Sequence, residues 1–258
     1  MKIIVLMKQV ANKDAVLRIG PDEKWINETD VAQQTNESDG YALEEALRLK
    51  EAKGDGEVVV CSLGPQSAKT VIKDALARGA DRAIHVVHDQ PNKLSAYQIA
   101  KSIADAIREE NPDLVFTGLQ SDDASYGQTG VILAELLGIP HATIVIEVDR
   151  GSLNGNLRVK RELESGWYQW FTYQLPALLS IQSGISQIRY ASLKGIMAAK
   201  KKEIRDVTPN VEAFASAATV EKVYMPLKTK QTQMLGNGDA KAGAAELIEK
   251  LKSEVRVL

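Results

Sequence analysis

Short apolar runs alternate with helical stripes as far as Pro140, and this alternation constrains the fold more than any other feature. The runs at residues 3–7, 58–63, 83–87 and 114–117 are mostly apolar, which is typical of strands buried on both faces. Apolar residues at helical spacing follow each run and predict helices at about residues 41–53, 68–79, 96–107 and 128–138. This order predicts an α/β fold with a parallel sheet and helices on both faces.

The pattern changes after Pro140. Strand-like segments at residues 143–148, 157–163, 167–173 and 177–182 predict an antiparallel extension of the sheet. After Arg189 the chain becomes polar, and only residues 244–251 have a convincing helical pattern. We therefore expect one α/β domain at residues 1–190 and a C-terminal arm at residues 191–258, which packs on that domain or on a partner.

Composition excludes several classes of protein. The chain has 258 residues, a formal net charge of −2 and no apolar segment long enough to span a membrane, so neither nucleic-acid binding nor membrane insertion is expected. The single cysteine, Cys61, cannot form an internal disulfide and lies in an apolar run, which favours a buried small side chain over a reactive thiol. His85, His88 and His141 lack the spacing of metal ligands, and we find no nucleophile motif.

The loop at residues 118–130 follows the fourth predicted strand, at the sheet edge where open α/β folds bind ligands. Gly118 permits close backbone approach, and Thr129 and Gly130 begin a helix whose free N–H groups suit a phosphate. The carboxylates of Asp122 and Asp123 would repel phosphate, so they should face a ribose, the backbone or solvent. A polar turn that caps a helix explains this loop equally well, and it matches neither a P-loop nor a G-x-G-x-x-G motif.

Two other loops leave the same predicted edge. Apolar residues at 6–8 and 63–65 could sandwich an adenine ring, although packing in the core explains them as well. Residues 36–39 precede the first long helix, where they are expected to cap it.

Several stretches, in the expected order, resemble the β subunits of electron-transferring flavoproteins. They are residues 2–10, 36–50, 79–83, 118–130, 159–166 with 176–180, and 189–193 with 200–202. The resemblance extends to about Ile204 and is weak beyond it. The sequence departs from the family pattern at Ser165, Phe171 and Ile188.

The resemblance implies a Rossmann-like domain that pairs with an α subunit. It implies one FAD, held mainly by the α subunit and walled on one side by this chain, and a structural AMP within this chain. By motif match, the residues implied for AMP are Leu6, Asn36, Glu37, Ser38, Asp39, Leu63, Gly118, Gln120, Ser121, Asp122, Asp123, Gln128 and Thr129. Such a protein is an electron carrier and not an enzyme, because the flavin performs the redox chemistry.

The resemblance also implies partners. Arg189, Tyr190 and Leu193 match a partner-recognition loop whose leucine plugs a pocket on a flavin-containing dehydrogenase. The residues alone favour a simpler alternative, in which Leu193 packs under its own helix. Family habit suggests acyl-CoA or amine dehydrogenases as electron donors and a membrane quinone oxidoreductase as acceptor. The expected location is a bacterial cytoplasm, or the mitochondrial matrix for a trimmed eukaryotic chain.

Two alternatives remain open. Some members of the family bifurcate electrons and bind a second FAD in place of AMP, but Thr129 favours AMP, because its side chain leaves less room for a dinucleotide. The other alternative is an ATP-binding domain of the stress-protein or adenylating type. An adenylating enzyme would need a Ser-Gly-Gly-x-Asp-like loop after the first strand, where this chain has residues 8–12, KQVAN. A stress protein would not need the long C-terminal arm.

Overall fold

A computed structural model of the chain describes residues 1–29, 31–152, 155–211, 219–227 and 232–257. The predicted arm at residues 191–258 includes residues 212–218, 228–231 and 258, which lie outside the described part. Contacts divide the chain into two units, Met1–Val223 and Tyr224–Leu258. The assignment of residues 191–258 to partner recognition stays a prediction.

The larger unit is built on a mixed sheet. The strands are β1 (Lys2–Leu6), β2 (Gln9–Ala11), β3 (Gln33–Thr35), β4 (Glu57–Gly64), β5 (Arg82–Val87), β6 (Leu114–Gly118), β7 (His141–Asp149), β8 (Asn156–Glu162), β9 (Tyr168–Gln174), β10 (Ala177–Ile181) and β11 (Ile204–Val207). Within the described residues, the main sheet has the order β11-β5-β4-β1-β6-β10-β7-β8-β9, and β2 pairs separately with β3.

The helices of the larger unit are α1 (Glu37–Lys53), α2 (Lys69–Arg78), α3 (Ala96–Ile107), α4 (Thr129–Leu137) and α5 (Leu193–Ala199). The smaller unit contains α6 (Ala240–Lys250), which covers most of the predicted helix at residues 244–251. Among the helices of the described residues, none is long and apolar enough to cross a membrane.

Alternate residues of the central strands face opposite sides, as the two-residue period of a strand requires. Ile3 and Val5 of β1 pack in the cluster formed with α1 and α2, whereas Ile4 and Leu6 pack in the cluster formed with α3 and α4. The prediction of a Rossmann-like α/β fold with helices on both faces is therefore confirmed.

The predicted antiparallel extension is confirmed for β7, β8 and β9, since β8 pairs antiparallel with both of its neighbours. For β10 the prediction is wrong, because this strand lies inside the sheet and pairs parallel with both β6 and β7. All five of its residues are buried, as in a central strand that is covered on both faces. Except for Ser180 the strand is apolar, which is typical of burial on both faces but does not identify the neighbouring strands.

Two short elements after Arg189 were not predicted. β11 pairs parallel with β5, and α5 packs on α2. At the contact between the helices, a Cβ atom on Gly195 would overlap the carbonyl oxygen of Ala77, so only glycine permits this approach. Lys202 donates to the carbonyl oxygens of Leu76 and Ala80 and holds the end of the segment beside α2. Contacts with α2 and β5 thus determine the structure of α5 and β11, whose sequences have little apolar periodicity.

Candidate functional site

A cavity opens at the carboxyl ends of β1, β4 and β6. From β1 the sheet extends to β4 and β5 on one side, and the chain then returns to place β6 on the other side of β1. The strand order therefore reverses between β1 and β6, and open α/β sheets bind ligands at such a switch point. The cavity has an empty volume of about 1020 Å³, including the part that opens to solvent. It is lined by Leu6, Met7, Lys8, Trp25, Asn36, Asp39, Cys61, Leu63, Pro91, Asn92, Leu94, Ala96, Ile99, Ile103, Thr117, Gly118, Leu119, Gln120, Ser121, Ala124, Tyr126, Gly127, Gln128, Thr129 and Gly130.

The inner wall of the cavity is apolar. Cys61, Leu63 and Ile103 are buried side chains from β4 and α3 that face it. Burial raises the pKa of the Cys61 thiol to about 12, so the thiol is neutral at physiological pH. The prediction of a buried, unreactive cysteine is thus confirmed, and this wall suits an apolar ring.

Gly118 ends β6 and begins the loop that forms the polar side of the cavity. A Cβ atom at this position would overlap the Ser38 hydroxyl and the Asp39 carboxylate, so the start of α1 lies directly against the backbone of Gly118. The N–H of Gly118 donates to Asp39 Oδ1 at 3.0 Å. Close packing of the start of α1 against this backbone is the physical reason for glycine here, and close approach of a ligand at Gly118 stays a prediction.

Side chains at the start of α1 hold the first half of the loop. Asn36 donates through Nδ2 to the Gln120 carbonyl at 2.9 Å, and its Oδ1 accepts from the N–H of Asp122 at 2.9 Å. The Ser38 hydroxyl donates to the same Gln120 carbonyl at 2.9 Å. α1 begins at Glu37, earlier than predicted. Asn36 occupies its N-cap position but makes no capping bond, because its amide is bound to the loop.

Asp39 is a buried carboxyl group between β1 and β6. Its oxygens accept from the N–H of Lys8 at 2.8 Å and from the N–H of Gly118 at 3.0 Å. Burial raises the pKa of Asp39 from 3.8 to about 7, although both of these hydrogen bonds favour the ionised form. The group therefore changes its charge near neutral pH.

The two loop carboxylates have different partners. Asp122 Oδ2 accepts from the N–H of Glu37 at 3.2 Å, which is one of the backbone partners expected from the sequence. Asp123 Oδ1 accepts from the N–H of Ala124 at 2.7 Å and also forms an ion pair with Lys8 Nζ at 2.6 Å. The ion pair with Lys8 was not predicted.

The loop ends at the start of α4, where Thr129 and Gly130 line the cavity. A Cβ atom on Gly130 would lie 2.9 Å from Thr117 Oγ1 and 3.1 Å from Ser180 Oγ, so the helix start packs closely on β6 and β10. The first N–H groups of a helix have no partner within it and attract anions. This end of the cavity therefore offers backbone donors to an acidic group.

The structure brings most of the predicted nucleotide residues to one cavity. Those on its wall are Leu6, Asn36, Asp39, Leu63, Gly118, Gln120, Ser121, Gln128 and Thr129. Glu37, Ser38, Asp122 and Asp123 are not among its lining residues, and they hold the loop by the contacts described above. The role of all these residues in nucleotide binding stays a prediction.

Sequence reasoning missed one wall of the cavity. Trp25 and the segment that contains Pro91, Asn92 and Leu94 line it, followed by Ala96, Ile99 and Ile103 of α3. The stripe on α3 was visible in the sequence, but its apolar residues have the same spacing whether they face a core or a cavity. Trp25 lies in a segment without helical or strand periodicity, so nothing in the sequence indicated that it would line a cavity.

A second feature lies at the predicted partner-recognition loop. Arg189 binds Glu44 and Glu51 of α1, while Tyr190 and Leu193 are 95% and 84% exposed. The alternative in which Leu193 packs under its own helix is therefore wrong. The exposed face continues with Ile196 and Met197 on α5. These side chains form an apolar surface next to Arg189, which is held by its two ion pairs.

A shallow groove lies beside this cavity and shares Leu119 with it. Arg161 lines this groove and donates to the carbonyl and the hydroxyl oxygens of Thr143, both at 2.7 Å. Ile144, also on its wall, has a φ of 55°, which is rare for a β-branched residue. The groove thus combines a fixed guanidinium with a locally strained strand.

Comparison with known proteins gives consistent matches. The family model for the electron transfer flavoprotein domain matches residues 24–212. A relative named electron transfer flavoprotein subunit beta, from Methylophilus methylotrophus, is 36% identical over 96% of this chain and 97% of its own length. The mitochondrial subunit beta of Oryza sativa subsp. indica is 37% identical over the full length of both chains. The Homo sapiens subunit beta is 35% identical over 81% of this chain and 82% of its own length.

Proposed function

Because this chain belongs to the electron transfer flavoprotein family as a β subunit, an electron carrier and not an enzyme, we propose that it works as half of a heterodimer with a bound AMP. The heterodimer accepts electrons from flavin-containing dehydrogenases of the acyl-CoA or amine type. It delivers them to a membrane quinone oxidoreductase. The proposed location is the bacterial cytoplasm, or the mitochondrial matrix if the source is eukaryotic.

The cavity at the switch point is the observation that carries the AMP proposal. Its inner wall of Cys61, Leu63 and Ile103 suits an adenine ring, and its polar side ends at the free N–H groups at the start of α4. In this proposal Thr129 contacts the single phosphate, and the adenine ring lies inward.

FAD, held mainly by the α subunit, would supply the one-electron chemistry when bound. The role of this chain is then to wall one side of the flavin and to hold the heterodimer together. The smaller unit supports that role, since Tyr224, Met225, Leu227 and Met234 are exposed apolar residues before α6. We propose that these side chains are buried against the α subunit.

The exposed face at Tyr190 and Leu193 supports a docking role toward the electron donor. A single apolar side chain on a fixed protruding segment can dominate a small, transient interface. We propose that Leu193 fills an apolar pocket on the dehydrogenase, with Arg189 holding the segment in place.

The test is to purify the chain with its α subunit, denature the complex and quantify the released nucleotides by chromatography and mass spectrometry. One FAD and one AMP per heterodimer is the expected result. A complex that contains ATP and no flavin would contradict the proposal and favour a nucleotide-sensing protein.

A second candidate is a bifurcating protein that binds a second FAD in this subunit. The groove that shares Leu119 with the cavity favours it, because an extended ligand could pass from one into the other and meet Arg161. Thr129, at the phosphate end, favours the single phosphate of AMP. The same experiment separates the two, since the bifurcating protein would release two FAD and no AMP.

A further inference from the structure

The nucleotide cavity has an apolar inner part and a polar outer part. Cys61 and Ile103 are buried at the inner wall, whereas Lys8 and Gln128 are partly or fully exposed at the outer rim. If the cavity binds a nucleotide, as proposed above, the base belongs inside and the phosphates point toward the rim. The charges at the rim then decide how many phosphates the site accepts.

Lys8 carries the cationic charge of this rim. Among the described residues that line the cavity, it is the only lysine or arginine. Its Nζ lies 2.6 Å from Asp123 Oδ1 and 3.3 Å from the Ser121 hydroxyl, so the side chain spans from the end of β1 to the loop. A neighbouring carboxylate therefore already neutralises the one side-chain cation available to a phosphate.

Both partners of this ion pair are held in place. The backbone of Lys8 donates to Asp39 and accepts from the N–H of Asn36 at 3.0 Å. Asp123 Oδ1 accepts from the N–H of Ala124, and the Asp123 side chain is only 16% exposed. The carboxylate thus presents a fixed negative charge next to Ala124, which lines the cavity.

We propose that the Lys8–Asp123 ion pair makes the cavity selective for nucleoside monophosphates over diphosphates. A monophosphate can be bound by the N–H groups at the start of α4 without displacing the pair. A second phosphate approaches Asp123 and is repelled, while Lys8 remains paired and cannot compensate. Asp123 thereby determines specificity through charge and without touching the bound nucleotide.

The test measures AMP and ADP binding by isothermal titration calorimetry on the heterodimer of this chain and its α subunit, freed of adenine nucleotide in denaturant and refolded with FAD. Wild type is expected to bind AMP more tightly than ADP. Asp123→Asn removes the repulsion and frees Lys8, so the affinity for ADP relative to AMP should rise by about tenfold. Lys8→Met leaves Asp123 unpaired at the rim and should lower relative ADP affinity further below wild type.

Two controls isolate the charge effect. The double variant Lys8→Met/Asp123→Asn removes both the repelling carboxylate and the lysine, so its preference for AMP should fall between those of wild type and Asp123→Asn. Asp105→Asn makes the same change of charge in an exposed ion pair of α3 and should leave the preference unchanged. Circular dichroism checks that each variant refolds.

The outcomes are distinct. If wild type binds AMP but Asp123→Asn leaves the ratio of the two affinities unchanged, the ion pair has no role in selectivity and the proposed AMP site stands. If wild type binds ADP as tightly as AMP, the selectivity itself is overturned. If wild type binds neither nucleotide, both this inference and the AMP part of the proposed function are wrong.

Discussion

Arg189 and Glu44 are joined by both backbone and side chain. The N–H and Nε of Arg189 donate to Glu44 Oε2 at 3.1 and 2.9 Å, and its Nη2 donates to Oε1 at 3.2 Å. The side chain of Glu44 is only 3% exposed, so the pair is largely shielded from water. The same guanidinium also reaches Glu51, further along α1, at 2.5 Å. This contact fixes the chain immediately before the exposed Tyr190.

Replacement of Glu44 by Gln is expected to destabilise the protein by about 1.5–3 kcal/mol, the range for a hydrogen bond to a charged group. Glu51→Gln is the matched control on the same helix. Its side chain is 58% exposed, so we expect a loss of less than about 1 kcal/mol. Urea unfolding at pH 7 measures both changes. Equal stability of the two variants would show that burial does not strengthen the Glu44 contact.

The Glu44 contact should also weaken in acid. Burial raises the pKa of Glu44, but the hydrogen bonds from Arg189 and Arg48 together outweigh it, so the pKa lies below 4.5. A lowered carboxyl pKa contributes stability that is present above the unfolded-state value and is lost as the pH falls through the folded-state value. The difference in unfolding free energy between wild type and Glu44→Gln should therefore shrink below about pH 4.5. A difference that grows in acid would contradict this assignment.

Asp39 is expected to give the opposite pH dependence. Because its pKa is raised to about 7, the folded protein keeps a proton that the unfolded chain loses above about pH 4. Its contribution to stability is thus largest at low pH and falls until the pH passes about 7. The unfolding free energy of wild type minus that of Asp39→Asn should decrease by up to about 3 kcal/mol between about pH 5 and pH 7.

Asp39→Asn also replaces one acceptor by a donor amide that faces a backbone N–H. We expect an additional loss of about 1–3 kcal/mol that does not depend on pH. Guanidinium unfolding at several pH values separates the two effects. A constant difference across this range would mean that Asp39 does not titrate near neutral pH in the folded protein.

Gly118→Ala should disturb both folding and nucleotide retention. The new methyl group overlaps Ser38 and Asp39, and overpacking of this kind costs about 1–3 kcal/mol. We expect a lower melting temperature and less nucleotide in the purified protein. Gly151→Ala is the control, since its Cβ atom would meet Asp149 Oδ1 at an ordinary 3.4 Å. A Gly118→Ala protein that melts like wild type would place Ser38 and Asp39 further from the loop than described above.

Leu193→Ala is expected to slow electron uptake from an acyl-CoA dehydrogenase by roughly tenfold, as the loss of an apolar anchor at an interface does. The melting temperature should not change, because the side chain is 84% exposed. Leu193→Met preserves an apolar side chain of similar volume and should keep most of the rate. An unchanged rate for Leu193→Ala would exclude this leucine from docking to that dehydrogenase.

The sequence predicted those parts of the fold that have their own periodicity. The first strands and α1 to α4 follow from apolar spacing, which depends only on burial. The position of β10 did not follow, because spacing identifies a strand but not its neighbours in the sheet. α5 and β11 are short and depend on distant contacts, such as that of Gly195 with Ala77, which local pattern does not reveal.

The candidate site was predictable where backbone geometry demands particular residues. Gly118 and the turn into α4 were recognisable because close approach and a helix start restrict which residues fit. The wall formed by Leu94 and Ile99 was not recognisable, since cavity and core impose the same apolar requirement. The pairing of Lys8 with Asp123 joins residues far apart in the chain, and only the fold brings them together.

The insertion of β10 between β6 and β7 has a consequence for biosynthesis. Until residue 181 has left the ribosome, β6 and β7 each expose an unpaired edge, which can pair with other nascent chains. Ser180, against which the start of α4 packs, is also missing until then. The cavity at the carboxyl ends of β1, β4 and β6 is therefore completed late in translation, although most of its lining residues are made early. Chains that stop before β10 should be targets for chaperones and proteases, and they should capture no nucleotide.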